Sequence, residues 1–501
     1  MIKLKRLLKD LPVNCVKGSK DISITGICSN SKLAGPGYLF IAKKGMNDDG
    51  ARYIPEAISA GASAVLTDIY NPSLKNITQI IHSNVACIES ALAASYYQNP
   101  SHELFMVGIT GTNGKTTTSF LIRHLLDQFN GPCGLIGSIE YIIGSYRYRA
   151  THTTPDVVAN HKMLREMIAQ GCRSAVMEVT SHALMQDRVE KIDFDVAVFS
   201  NLTLDHLDYH HTMDNYCSAK NRLFRTLGQF KGKNVKMAII NADSPWSGKI
   251  TEGCQTACLT YGIQNRADLR ASNIRLGMHG TELDISYQNK TLSCAWPLIG
   301  RFNVYNVLSA MGVGLSKGLS LEEIVDKIST ISSIQGRLQA VENDLNLKIF
   351  VDFAHTDDAL LNVLETLSEL KKGRIITIFG CGGDRDKTKR PKMAAVSERY
   401  SDISIVTLDN PRSENPESIC QDIVKGFTRR DSYMIELDRH SAIKKAIQMA
   451  STNDIILIAG KGHEAYQIFS HKTIEFDDAQ VAASICLQMT NSPYTRLGSG
   501  L

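Results

Sequence analysis

Short apolar runs recur along the chain, and most of them end in a glycine or polar loop. GYLFIA (37–42) and SAVLTD (63–68) read as strands, and CIESALAASYYQN, rich in small residues, predicts a helix. NPSHEL (99–104) is a turn-rich break. Beyond it LFMVGIT, SAVMEV, VAVFSNL and KMAII are separated by helix-length segments, the spacing of a mostly parallel, doubly wound sheet. After LFMVGIT, Leu121, Leu125 and Phe129 recur at i, i+4 and i+8, one face of a helix. Residues 268–297 alternate polar and apolar positions, which predicts antiparallel strands added to the same unit. After ISSIQGRLQAV the pattern restarts with LKIFVDFAH, RIITIFGCGGD, ISIVTLDN and DIILIAGKGHE, a second α/β unit with its own sheet.

The expected fold is therefore α/β, with more than one core in a chain of 501 residues. Apolar residues make up 43% and charged residues 21%, ordinary for a soluble chain. The formal charge of +4, from 55 basic and 51 acidic residues, is too small to argue for nucleic-acid or membrane partners. Twelve cysteines are scattered from Cys15 to Cys486, and the close pair Cys254 and Cys258 has no second pair or histidine run at zinc spacing. They read as reduced thiols of a cytoplasmic protein. The N-terminal MIKLKRLLKDLPVN is basic, but its apolar residues are interrupted, unlike a signal peptide. No apolar run reaches the ~18 residues a membrane helix needs. Without an extended amphipathic or coiled-coil segment, a monomer is the expectation.

Candidate chemistry gathers at the ends of the apolar runs, where open α/β sheets hold ligands. Gly111, Thr112, Asn113, Gly114, Lys115, Thr116 and Thr117 follow a strand and open a helix. Glycines let backbone N–H groups turn inward around phosphate oxygens, Lys115 supplies a point charge, and Thr116 can offer its hydroxyl to Mg²⁺. The strict phosphate-loop pattern wants glycine at position 109, where this chain has Ile109; its glycines are Gly108 and Gly111. Glu178 ends the run SAVMEV, a position for a carboxylate that holds Mg²⁺. NLTLDHLDYHH offers Asp205, His206, Asp208, His210 and His211, a source of one further metal ligand but not a zinc site by spacing. Lys220, in NYCSAKNRLF, is unremarkable by its own chemistry. The stretch LDNPRSENP places a rigid proline, two short polar groups and a guanidinium at a strand end, the parts of a recognition site.

Taken together, GITGTNGKTT, MEVTSHAL, NLTLDHLDYH, GRFNVYN, DFAHTDDAL, FGCGGDRDKTKRP, DNPR and AGKGHE resemble the Mur ligase family over essentially the whole chain. Their order and spacing are more specific than any one motif, and the shifted glycine is the usual form of the loop in that family. The resemblance implies ligation of an amino acid to a UDP-muramoyl peptide with conversion of ATP to ADP and phosphate. It implies three domains: a small UDP-sugar-binding α/β domain over 1–99, a central P-loop-type ATP-binding domain over 100–335, and a Rossmann-like amino-acid-binding domain over 336–501. Glu178 and His206 would be Mg²⁺ ligands, and Lys220 would carry a carbamate serving a second Mg²⁺. Asn303 and Asp352 match positions near adenine and ribose, and Arg337 matches an arginine near the phosphates. Ser31, Thr153, Thr154, Thr180, Gln186 and Arg188 match positions that hold the UDP-muramoyl dipeptide. The chain departs from the usual pattern at Asn30 and Lys32, which flank Ser31, and at His152, Thr180 and Phe353.

The amino acid added in this family is usually meso-diaminopimelate or L-lysine, which differ by one carboxylate. A guanidinium suits that carboxylate as a bidentate partner. Arg412 is the expected fork, in the DNPR form seen in diaminopimelate-adding members, with Asp409 and Asn410 facing the distal ammonium. Pro411, Arg385, Gly460 and Glu464 complete the expected diaminopimelate-binding set. A lysine-adding ligase is the nearest alternative, folylpolyglutamate synthetase a more distant one, and a P-loop switch or motor the alternative from another class.

Overall fold

The computed structural model describes residues 1–9, 11–13, 15–45, 48–230, 233 and 235–490. Asp10 and Asn14 of the basic N-terminal stretch, and residues 491–501 at the end of the third expected domain, lie outside the described residues.

Three main sheets follow one another along the chain. In the N-terminal one, Gly26–Cys28, Tyr38–Ile41, Ala64–Thr67 and Thr78–Ile81 run parallel in that order, and Cys15–Lys17 closes the far edge antiparallel. The central sheet has eleven strands. Its parallel heart runs Cys133–Ile136, Ser174–Glu178, Phe105–Thr110, Val196–Phe199, Met237–Asn241, Ala257–Gly262. The chain places four strands on one side of Phe105–Thr110 and then crosses to the other. That strand is therefore the switch point where such sheets open a ligand crevice. The alternating stretch forms the antiparallel strands Leu269–Gly277, Gly280–Tyr287 and Lys290–Trp296 at one edge. The hairpin Glu140–Ile143 and Tyr146–Arg149 closes the other.

The C-terminal sheet has six strands, with Lys348–Asp352, Ile455–Ala459, Ile375–Phe379, Ile403–Val406 and Tyr433–Ile435 parallel and Gln339–Ala340 antiparallel at the edge. Central strands here are buried on both faces, which is why their sequences are continuous apolar runs. Leu121 and Leu125 of the helix Lys115–Asn130 are buried, as their spacing predicts. Phe129 departs from the expectation: it stands 41% exposed in the last turn, where the helix runs past the sheet it covers.

The units interlock through side chains. Val157 and Val158, at the start of the helix Val157–Ala169 of the central unit, enter the N-terminal core. Ile299, Phe302 and Met278 join the C-terminal core. Among the described residues no helix is long and apolar enough to cross a membrane. All twelve cysteines are free.

One buried ion pair organises the C-terminal unit. Arg439 donates to both oxygens of Asp478 at 2.7 Å each and to the Ala459 carbonyl at 3.0 Å, with both side chains fully buried. It joins the helices Arg439–Met449 and Asp478–Thr490 to the end of the strand that precedes Gly460. Asp478→Ala leaves a buried guanidinium unpaired and should cost about 3–5 kcal/mol in urea unfolding. Replacing both partners, as Arg439→Met with Asp478→Leu, should recover most of the loss; a double variant as unstable as the single one contradicts this account.

Candidate active site

The phosphate loop emerges from Phe105–Thr110 at the switch point and leads into the helix Lys115–Asn130. Gly111 has φ +150°, and a Cβ there would lie 1.9 Å from Ser200 Oγ; Gly114 has φ +85°, with Asn306 Oδ1 at 2.4 Å from the same added atom. Both positions therefore require glycine. Bonds to neighbouring strand ends hold the loop open: Thr112 N–H donates to the Asn201 carbonyl at 2.9 Å and Asn113 N–H to Asn201 Oδ1 at 2.9 Å.

Glu178 ends the adjacent strand and is fully buried. Its carboxylate accepts from Ser138 N–H at 2.9 Å, Ser138 Oγ at 3.0 Å and Thr116 Oγ1 at 3.1 Å. Arg337 donates to Thr116 Oγ1 at 3.0 Å, bringing a residue from the C-terminal side onto the loop. The 3.1 Å between the Thr116 and Glu178 oxygens is close to the ~3.0 Å edge of an octahedron with ~2.1 Å bonds, the geometry Mg²⁺ demands. Among the described residues no group of three or more His, Cys, Asp or Glu side chains converges to hold a metal. A hard ion here would thus be completed by phosphate and water oxygens, the usual habit of Mg²⁺.

Two lysines meet on one carbonyl. Lys115 Nζ donates to Gly111 O at 2.9 Å and Thr112 O at 2.7 Å, and Lys220 Nζ reaches the same Gly111 O at 2.8 Å. Burial lowers Lys115 from its ordinary value, opposed by Glu178 and Asp205. Burial, reinforced by Lys115, pushes Lys220 well below the usual lysine range. Burial thus favours its uncharged form, and its Nζ lies over the Tyr216 ring at 4.6 Å. His206 adopts a left-handed backbone with φ +54°, its Nε2 3.5 Å from Asp205. Burial brings His206 down to about 4, so its ring is neutral and its lone pair free to ligate.

The residues matched to the dipeptide divide between two units. Thr154 Oγ1 donates to the Glu178 carbonyl at 2.7 Å and accepts from Thr180 N–H at 3.2 Å. Arg188 donates to the Thr154 carbonyl at 2.9 Å and with two nitrogens to Gln186 Oε1. Thr153 is bonded to Ser138 Oγ at 3.1 Å. Ser31 stands apart in the N-terminal unit, donating to Glu56 at 2.7 Å. Asn303 donates to the Ile299 carbonyl and accepts from Asn306. Both oxygens of Asp352 accept backbone N–H bonds, from Leu338 at 2.7 Å and Ala354 at 2.8 Å, which fix the segment carrying Arg337.

The DNPR corner is held on every side. Asn410 Oδ1 accepts from Ile468 N–H at 3.0 Å and Lys461 Nζ at 3.3 Å, while its Nδ2 donates to Glu464 at 2.8 Å. Lys461, fully buried, sits 3.4 Å from Glu464 and 3.9 Å from Asp409. An internal ammonium thus stands among the groups expected to face a substrate ammonium. Arg412 takes φ +52° after Pro411, with its N–H on the Ile468 carbonyl and Nη1 on the Gly383 carbonyl at 2.8 Å. Beneath it the buried Arg390 binds both oxygens of Glu414, holding that carboxyl down at about 2. Glu414 in turn accepts from Asp384 N–H at 2.6 Å, which fixes the loop that exposes Arg385. Gly460 follows the buried strand Ile455–Ala459 with its N–H on the Asp352 carbonyl.

Sequence reasoning missed Ser138, Asp358, Lys461 and Arg149. Lys461 lay in view within AGKGHE, and Asp358 within DFAHTDDAL. Ser138 and Arg149 carry no local signal; Arg149 reaches across to stack over Tyr466 at 4.2 Å.

Family comparison covers most of the chain. Residues 109–314 match the Mur ligase middle domain, 336–462 the Mur ligase glutamate ligase domain, and 23–101 the Mur ligase family catalytic domain. A UDP-N-acetylmuramoyl-L-alanyl-D-glutamate–2,6-diaminopimelate ligase of Chlamydia caviae is 43% identical over 96% of this chain and 99% of its own length. One of the same name from Clostridium acetobutylicum, numbered 1, is 38% identical over 97% and 100%. A solved structure of a ligase of that name is 29% identical, with TM-score 0.69 over 98% of this chain and 100% of its own. MurF from Acinetobacter baumannii, at 18% identity and TM-score 0.67 over 92% of this chain and 95% of its own, shares the fold.

Ser138 holds the carboxylate nearest the phosphate loop, and such supporting bonds typically matter 10–100-fold for metal affinity or activity. Ser138→Ala should weaken Mg²⁺-dependent ATP binding by about tenfold while the thermal midpoint stays nearly unchanged. Calorimetric titration checks this, and wild-type affinity in the variant contradicts it.

Proposed function

The chain belongs to the Mur ligase family, and from that premise we propose that it joins meso-2,6-diaminopimelate to the D-glutamyl γ-carboxylate of UDP-N-acetylmuramoyl-L-alanyl-D-glutamate at the expense of ATP. The product is a tripeptide precursor of peptidoglycan. The observation that carries this reading is the near-full-length likeness to diaminopimelate ligases, supported by an arginine at the DNPR corner.

A carboxylate does not condense with an amine directly, because its leaving group would be an oxide. Transfer of the γ-phosphoryl group of ATP to the acceptor carboxylate gives an acyl phosphate with a good leaving group. The obstacle is electrostatic: an anion must approach a polyanion. The backbone N–H groups of residues 111–117 and the helix N-terminus receive the phosphates, and Lys115 leaves its loop carbonyls to meet their charge. Arg337 adds a second cation beside Thr116. Thr116 and Glu178 would hold one Mg²⁺ and His206 with a carbamylated Lys220 a second, which would neutralise charge on the transferring oxygens. Lys220 suits that modification because burial favours its uncharged form, and a neutral amine can bond to the carbon of CO₂, releasing a proton and becoming an anionic oxygen donor.

Ser31 in the N-terminal unit, with Thr153, Thr154, Thr180, Gln186 and Arg188 in the central one, holds the UDP-muramoyl dipeptide. Remote binding of the nucleotide-sugar then orients the reacting carboxylate. Thr154 bonds the backbone carbonyl of Glu178, so acceptor and phosphate sites share one rigid strand end. Asn303 and Asp352 flank the nucleoside end of ATP. The amino acid lies in the C-terminal unit against Arg385, Arg412, Gly460 and Glu464. Its neutral amine attacks the acyl carbon, phosphate leaves, and the proton passes to solvent.

Arg412 decides which diamino acid enters. Diaminopimelate carries a carboxylate where L-lysine has hydrogen, and a guanidinium favours an anion at that end and disfavours an added cation. Domain roles follow the same division: UDP-sugar over 1–99, ATP over 100–335 and amino acid over 336–501.

With UDP-N-acetylmuramoyl-L-alanyl-D-glutamate and ATP present, phosphate release and tripeptide mass should appear with meso-diaminopimelate and not with L-lysine. Arg412→Ala should raise KM for diaminopimelate by about tenfold or more while KM for ATP moves less than about twofold. Preference of the wild type for lysine, or equal effects of the variant on both constants, contradicts the selector role; phosphate release indifferent to either amino acid contradicts the ligase reading.

A further inference from the structure

Asp358, in the first turn of the helix Asp357–Leu370, reaches from the C-terminal unit to the phosphate loop of the central one. A single oxygen, Oδ2, accepts from Asn113 Nδ2 at 2.6 Å and from Thr203 Oγ1 at 2.9 Å. Both donors are themselves fixed. The Asn113 carbonyl accepts from Ser200 Oγ at 2.6 Å, and Thr203 N–H donates to Thr112 Oγ1 at 3.0 Å. The carboxylate therefore closes a ring of bonds that runs through loop residues 112 and 113 and the strand-end segment 200–203.

The charged neighbours that act on Asp358 are Asp357 and Asp205, both of its own sign. An acidic group beside a phosphate loop does nothing to attract a polyanion, so its value there is geometric. The helix it starts belongs to the unit that carries Arg412 and Glu464, while the loop it touches belongs to the unit that makes the activated acceptor.

We propose that Asp358 is a positioning residue that docks the amino-acid-binding unit on the phosphate loop, so that the amine reaches the acyl phosphate ahead of water. This rests on the ligase reading given above. Without the bonds, the amino acid still binds and the acyl phosphate still forms, each on its own unit, but the intermediate waits exposed. Water then attacks the acyl carbon, phosphate leaves, and the carboxylate returns with one ATP consumed and no peptide bond made. Placement of reacting groups, rather than their chemistry, is what such a contact supplies.

The test is the ratio of phosphate released to tripeptide formed, at saturating ATP, UDP-N-acetylmuramoyl-L-alanyl-D-glutamate and meso-diaminopimelate, using the full chain. Asp358→Asn keeps a carbonyl oxygen whose two lone pairs can accept both bonds; Asp358→Ala keeps none. Wild type and Asp358→Asn should give nearly equal amounts of phosphate and tripeptide, and Asp358→Ala should raise the ratio about twofold or more. Thr203→Val, which removes one donor, should fall between and serves if Asp358→Ala does not fold. A wild-type ratio in Asp358→Ala or, where that variant does not fold, in Thr203→Val overturns the proposal. So does an Asp358→Asn variant as uncoupled as Asp358→Ala. Failure of the wild type to form tripeptide overturns the ligase reading itself, an outcome separate from these.

Discussion

A fully buried carboxylate must have its oxygens satisfied or it cannot remain charged, and at Glu178 that requirement arranges the site. Its partners are Ser138, just before the edge hairpin, and Thr116, in the first turn of the phosphate-loop helix. Thr154 holds the carbonyl of the same residue, and Arg337 from the C-terminal side joins through Thr116. Four segments far apart in the chain are thereby set around one strand end. Move that carboxylate, and the phosphate loop, the acceptor residues and the route of Arg337 lose their common reference.

Charge is distributed with the same economy. Two lysines share the Gly111 carbonyl, and burial, reinforced by Lys115, pushes Lys220 well below the usual lysine range. In the proposed mechanism that shift favours modification of Lys220, and Lys115 serves as the point charge for phosphates. At the amino-acid corner Lys461 already stands among Asp409, Asn410 and Glu464 from within. In the proposed function Arg412 is the cation that meets an additional carboxylate on the guest. In the proposed mechanism selection by charge and activation by phosphoryl transfer belong to different units, which gives weight to contacts such as Arg337 on Thr116 and Asp358 on Asn113.

Much of this was legible in the sequence because it is local. The strand–loop–helix at Phe105–Asn130 is written in consecutive residues, and the buried strands announce themselves as unbroken apolar runs. Phe129 shows the limit of periodicity: it has the right spacing, but the helix outlasts the surface it covers. Lys220 was intelligible only through family resemblance, since its burial and its shared carbonyl depend on Gly111, far away in the chain. Ser138 lies distant in sequence from Glu178, and Asn113 still further from Asp358, so no spacing rule connects them. Asn410 was read as open to substrate, whereas bonds to Ile468, Lys461 and Glu464 occupy its side chain, partners that only the folded corner brings near.

The central claim is that the energy of ATP is used to activate the acceptor carboxylate beside Glu178 before the amine arrives. Oxygen-18 in the D-glutamyl γ-carboxylate tests it most directly. An acyl phosphate intermediate transfers labelled oxygen from the carboxylate to the phosphate released during tripeptide synthesis. Phosphate that carries the label is the predicted result; unlabelled phosphate, formed together with tripeptide, would contradict the account.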